Sequence, residues 1–270
     1  GKDNVVYWKD IQYAQSFLNK LWNASAFVSM STEHFDLTKT NYASLKPHLR
    51  AIDKAMLSRL HATIAQVTAS MENYDYYEAI VALQGFFWKE FCDYYLEEVK
   101  HRTYSTAKPE GEGKEGTKKI FSHAPVNKES KHAAQFVLRE VLFQTLHLMA
   151  PFASYTTEEL FHQLFADEAK AAKSIHLSKW PSANASLKDE RAESLAAVLH
   201  AAVSEIRKFK AANQLALNEP LSSAEVSVPE ALLPQMTEIE EDLKAVCKLG
   251  AVSFKPLPEN GKEVSVHCTP

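Results

Sequence analysis

The run LSRLHATIAQVTASM, residues 57–71, decides the fold class. Leu57, Leu60, Ile64, Val67 and Met71 recur in strict three- and four-residue steps, the interval at which side chains return to one face of an α-helix. Asp53 is the expected N-cap of this helix. Upstream, a helix over about 10–30 aligns Ile11, Ala14, Leu18, Leu21, Ser25 and Val28 as a buried stripe. Its opposite side carries Gln12, Gln15, Asn19 and Asn23, an uncharged polar line that can meet solvent or a hydrogen-bonding ligand. Downstream, Asp75-Tyr76-Tyr77-Glu78 has the spacing of a capping box and opens a helix to about 99. That helix is apolar on two faces, Ile80, Leu83, Phe87, Phe91 and Tyr94 on one and Trp88, Cys92, Tyr95 and Val99 on the other, which predicts a central position.

Residues 103–129 break every pattern. The stretch Lys108-Pro109-Glu110-Gly111-Glu112-Gly113 has too little apolar area to offset chain entropy, so a mobile connection is expected. Periodicity returns over about 131–150 with Val137, Leu138, Val141, Leu142, Leu146 and Leu148, and Pro151 stops it. Thr156-Thr157-Glu158-Glu159 reads as a second capping box before a short helix. Residues 182–187 read as a linker. Beyond it, Leu195, Leu199, Ala202, Ile206 and Phe209 align over a helix at about 189–211. Alternation then predicts short strands at 224–228, 251–255 and 263–267, with a helix over about 237–249 between the first two. The expected fold is mainly α: a helical bundle over 1–181, followed by a small α+β subdomain over 182–270.

Composition narrows the function. Only seven glycines occur, three of them at Gly111, Gly113 and Gly116, which favours long helices over many tight turns. A formal charge of -4 gives no overall attraction to nucleic acid, which argues against non-specific DNA coating and requires any RNA reader to gather its Lys and Arg on one face. Cys92, Cys247 and Cys268 are far apart with no C-x-x-C spacing, so unpaired thiols in a reducing compartment and no metal are expected. No apolar run reaches bilayer length and no charged-then-apolar leader opens the chain, so no membrane partner and a cytoplasmic location are expected. A first residue of Gly1, with no Met, suggests a piece of something longer.

Catalytic signatures are missing: there is no phosphate loop, no G-x-G-x-x-G, no G-x-S-x-G and no H-E-x-x-H, so no catalytic residue is assigned. Glu158 and His162, one turn apart, have the spacing of an acid/base dyad, and a surface helix pair is the simpler reading. Asp93 and Glu97 could likewise be paired carboxylates, with a structural role again simpler.

Five stretches in order carry a family resemblance. Asn19-Lys20-Leu21-Trp22-Asn23-Ala24-Ser25-Ala26-Phe27, Leu57-Ser58-Arg59-Leu60, Phe91-Cys92-Asp93-Tyr94-Tyr95-Leu96-Glu97, Leu146-His147-Leu148-Met149-Ala150-Pro151-Phe152 with Thr157-Glu158-Glu159-Leu160, and Ser174-Ile175-His176-Leu177-Ser178-Lys179-Trp180-Pro181 resemble the anticodon-binding region of the valyl-tRNA synthetases, class I aminoacyl-tRNA synthetases. The likeness is strong over 1–181 and weak in the tail. The form of the tail and Lys100-His101-Arg102 look like the archaeal branch. The family usually carries Arg at the position of Ala26.

The resemblance implies recognition of valine tRNA, in a ligase whose ATP- and magnesium-dependent catalytic domain and editing domain lie upstream, with no cofactor in this chain and no DNA partner. The alternatives are the same region of an isoleucyl or leucyl enzyme and a helical scaffold that binds protein. Unstacked anticodon bases are read by stacking and by hydrogen bonds to base edges, so Asn19, Lys20 and Asn23 are the residues expected on the anticodon, the two amides suiting base edges. Lys46, Arg50, Lys54, Lys100 and Arg102 are the cations expected on the tRNA backbone.

Overall fold

A computed structural model describes residues 8–33, 35, 42–103, 127–258 and 264–269. Most of the segment expected to be mobile, 104–126, lies outside the described residues, as does the predicted strand start at 263.

The long amphipathic stretches fold as helices: α1 Trp8–Ser31, α2 Tyr42–Leu45, α3 Ala51–Glu72, α4 Tyr76–Gly85, α5 Leu96–Thr103, α6 Lys128–Met149, α7 Ser154–Leu164, α8 Ala166–Ala172, α9 Glu190–Ala212 and α10 Thr237–Cys247. A π-helical segment, Phe86–Tyr95, joins α4 to α5, so 76–103 runs as one helical rod through the bundle. Its Phe86, Phe87, Phe91, Cys92 and Tyr95 are buried, which confirms the expected central position. Tyr94 leaves the apolar face and stacks on His200 of α9, ring centroids 4.0 Å apart.

In α3 the stripe Leu57, Leu60, Ile64 and Val67 is buried. Of the stripe expected on α1, Leu21, Ser25 and Val28 are buried and are joined by Phe17 and Ala24, whereas Leu18 is half-buried and Ile11 and Ala14 are exposed. Three capping assignments change. Asp53 sits at the third helical position of α3, not at its N-cap, and accepts from the Arg50 backbone N–H at 2.9 Å. Asp75 makes no side-chain cap, and α7 starts at Ser154 after Ala153, so Glu158 is free to bind elsewhere. The Glu158 carboxylate accepts from the Ile175 N–H at 2.9 Å and the Ser174 hydroxyl at 3.0 Å, pinning the turn after α8.

The tail holds β1 Leu221–Val228, β2 Leu249–Pro256 and β3 Ser265–Thr269 in the order β2-β1-β3. β1 and β2 are parallel, with Val226 opposite Phe254, and α10 makes the crossover between them. β1 and β3 are antiparallel, with Val226 opposite Val266. Gly250 lies so close to β1 that a Cβ there would meet the Ser222 carbonyl oxygen at 2.7 Å. The bundle and tail share one apolar core. Buried residues from Phe17 through Leu138 and Leu199 to Val226 and Cys268 belong to a single cluster. Asp189 caps α9 through the Ala192 N–H, and its own N–H donates to Ser58 of α3, so the start of the tail is tied to the bundle.

Candidate nucleic-acid interface

Aromatic packing sets the orientation of α1. Tyr13 stacks on Trp88 of the π segment, centroids 5.7 Å apart and planes within 8°, and Phe17 meets Phe87 edge-on at 5.8 Å. Lys20 donates to Asp93 at 2.8 Å and lies 5.4 Å from the centre of the Trp88 ring. With that side clamped, Asn19 and Asn23 are exposed on the opposite side, with Trp22 exposed beside them. Lys20 is the only charged residue between Ile11 and Ser31, and Asp93 neutralises it. The outward face of α1 is therefore uncharged, amide-bearing and aromatic, a surface suited to base edges and base faces.

The five cations expected on the RNA backbone do not form one patch. Arg102 is fully buried. Its guanidinium donates to both carboxylate oxygens of Asp53, at 2.9 and 2.8 Å, and to the Ser130 carbonyl at 2.6 Å, while the Tyr95 hydroxyl donates to Asp53 at 2.7 Å. Burial alone would weaken its hold on the proton, and the adjoining Asp53 charge and hydrogen bonds overcome this, leaving the guanidinium above its ordinary range. No phosphate can reach a fully buried guanidinium, so the expected role of Arg102 is corrected to an internal brace.

Arg50 is largely spent in the same way. It pairs with buried Asp242 at 2.7 Å and with Glu241 at 2.9 Å, both on α10, and donates to the Ser130 hydroxyl at 3.3 Å. His101 approaches Asp242 at 3.3 Å. These contacts tie α3, α5, α6 and α10 together, so Arg50 is a bundle-to-tail tie and its expected role on phosphate is corrected too.

Three of the five remain accessible, in two places. Lys46 and Lys54 line a cavity of about 250 Å³ with Tyr42, Ser186 and Lys188. Lys100 pairs with Glu97, lies 5.8 Å from the centre of the Phe27 ring on α1, and lines a separate cleft between α5 and the tail. Asp93 and Glu97 thus each face a lysine and not one another. His162 does meet Glu158 at 3.1 Å. Burial of Glu158 is outweighed by the Ile175 N–H, His162 and Ser174, which hold its carboxyl below the usual range, as suits an anchored anion and not a general acid.

Sequence reading missed Tyr95 as a partner in the brace and Asp242 as the partner of Arg50. It also missed Lys210, a buried lysine that donates to the carbonyls of Leu217 at 3.0 Å, Glu219 at 2.7 Å and Cys247 at 2.8 Å. A lysine one turn after Ile206 on a buried face was the available signal.

The helical bundle thus presents an uncharged amide and aromatic face on α1, and lysines line two separate clefts elsewhere on the molecule. The chain belongs to the anticodon-binding domain family of the tRNA ligases, whose pattern residues 53–226 match. Valine–tRNA ligase of Methanothermobacter thermautotrophicus is 32% identical over 254 residues, 94% of this chain and 25% of the relative. That of Pyrococcus abyssi is 31% identical over 96% of this chain and 26% of the relative, and that of Wolbachia from Brugia malayi 30% over 97% and 30%. The chain thus spans 25% to 30% of the length of these relatives, and the likeness extends through the tail. Among the described residues no helix is long and apolar enough to cross a membrane, and no group of His, Cys, Asp or Glu could hold a metal ion.

Proposed function

We propose that this chain is the anticodon-reading region of a valine–tRNA ligase and that its RNA partner is valine tRNA. The observation that carries the reading is the outward face of α1, where Asn19, Trp22 and Asn23 are held on a rigid helix with no charge, in a chain of the anticodon-binding family. Asn19 and Asn23 bond base edges, while Lys46, Lys54 and Lys100 hold phosphates that set the register. Lys20 is a positioning residue, fixing α1 through Asp93. The ATP- and magnesium-dependent attachment of valine belongs to an upstream catalytic domain of a longer, cytoplasmic polypeptide that also carries an editing domain. This chain by itself is inactive in that reaction.

The test is binding of the chain to a valine tRNA transcript and to the same transcript with an exchanged anticodon. Tighter binding of the first is expected, and equal affinities would remove anticodon reading from this region. Valine-dependent ATP–pyrophosphate exchange by the pure chain would overturn the assignment of catalysis to another part of the polypeptide.

A further inference from the structure

The cleft between α5 and the tail encloses about 420 Å³ and is lined by Glu97, Lys100, Arg207, Leu217, Asn218 and Lys248, among others. Three of those six are cations and one is a carboxylate, in a chain whose net charge is -4. Glu97 is taken up by Lys100. Arg207 and Lys248 both line the cleft, and neither makes an ion pair with a described residue.

The walls are held in place by specific interactions. Lys248 adopts a left-handed backbone, φ 58°, a conformation that costs a long side chain and that ends α10 while placing this lysine at the rim. Directly behind it the Lys210 ammonium binds the carbonyls of Leu217, Glu219 and Cys247, which fixes the 217–219 loop against the end of α10. Buried and bonded to three carbonyls, this lysine is a structural pin and does not line the cleft. On the other wall Lys100 reaches Phe27, four residues beyond Asn23 on α1, so the cleft adjoins the amide face.

We propose that this cleft holds consecutive phosphates of the bound tRNA's sugar-phosphate backbone, with Arg207 and Lys248 as its principal ligands and Lys100 beside them. The inference rests on the anticodon reading above and extends it to residues on the tail. A backbone contact of this kind contributes affinity without sequence preference, while Asn19 and Asn23 discriminate. The site draws on both parts of the molecule: Lys100 comes from α5, Arg207 from α9, and Lys248 is the residue that ends α10.

The experiment uses the whole chain and a double variant, Arg207→Gln with Lys248→Asn; Asn suits the left-handed backbone, and neither native side chain is engaged in an ion pair with a described residue. Thermal midpoints confirm that the variant is folded. Binding of valine tRNA and of the anticodon-exchanged tRNA is then followed against KCl concentration. The expected result is weaker binding of both tRNAs by the same factor, with the slope of log K against log salt reduced by roughly 0.7–0.9 for each phosphate that the variant no longer neutralises. Arg207→Lys, which keeps the charge, should retain most of the slope.

An unchanged slope in a variant that still discriminates the two tRNAs would overturn the cleft and leave anticodon reading intact. A wild-type chain that binds neither tRNA would overturn both. Titration of inorganic phosphate alone forms the second arm. Saturable phosphate binding that the double variant abolishes, with tRNA slopes unmoved, would assign the cleft to a small free anion and overturn the proposal.

Discussion

At the scale of single residues, the arginines show how far type and position mislead when burial is unknown. Arg102 sits in a Lys-His-Arg triplet that reads as a solvated cationic patch, yet its side chain closes a fully buried pair with Asp53. Arg102→Met leaves the Asp53 carboxylate buried and unpaired, and should cost about 3–5 kcal/mol in urea unfolding. Replacing both, Asp53→Leu with Arg102→Met, should cost clearly less than the sum of the two single changes; strict additivity would refute the pairing. The exposed amides make the opposite case. Asn19→Ala with Asn23→Ala should leave the unfolding midpoint within experimental error and reduce the preference for valine tRNA over an anticodon-exchanged tRNA by about 1–3 kcal/mol. Retained preference would move base reading away from α1. These amides were legible in the sequence because their line on α1 needs only helical geometry; the fate of Arg50 and Arg102 was not, because their partners lie as many as 192 residues away.

At the scale of elements, helix positions followed from apolar period, and helix starts did so less reliably. Capping signatures are short and compete with tertiary partners: the Glu158 carboxylate is recruited by the turn at Ser174 and Ile175, and Asp53 by Arg102. The π segment leaves no mark in the apolar period, since its aromatic residues fit an α-helical stripe equally well. The loop joining α9 to β1 depends on one side chain. Lys210→Met keeps the stem's bulk but removes three charge-assisted hydrogen bonds and strands the Leu217, Glu219 and Cys247 carbonyls, so a loss of about 1–3 kcal/mol is expected. Hydrogen exchange should show the 217–219 loop and the end of α10 opening first in this variant. Uniform protection loss across the whole bundle would contradict a local pin.

For the whole molecule, the continuous core makes pH stability a shared property of bundle and tail. Cys92 in the bundle and Cys247 in the tail are both buried, and burial pushes each thiol up to about 12 from an ordinary value of 9.0. Tyr95 is driven in the same direction, first by burial and then by Asp53. An acid held protonated in the folded state binds its proton more tightly there than in the unfolded chain. Its contribution is therefore complete below pH 9 and declines as pH rises toward 12. Thermal unfolding midpoints should fall across that alkaline window in one transition, and Cys92→Ala with Cys247→Ala should make the fall shallower; an identical fall in the double variant would rule the thiols out. The same thiols should resist alkylation near pH 8 until the chain unfolds, because the thiolate is the reactive form.

The sequence alone determined the helical bundle, the small helix-and-sheet tail, the family resemblance and the uncharged face of α1, because these depend on periodicity and local order that a chain displays along its length. Tertiary structure alone decided which cations remain accessible at the surface. Arg50 and Arg102 are consumed by acids from α3 and α10, while Arg207 and Lys248, unremarkable in sequence, meet Lys100 across the cleft between bundle and tail. Charge in a folded protein acts through its neighbours and its exposure to water, and both are set by contacts between residues that the sequence holds far apart.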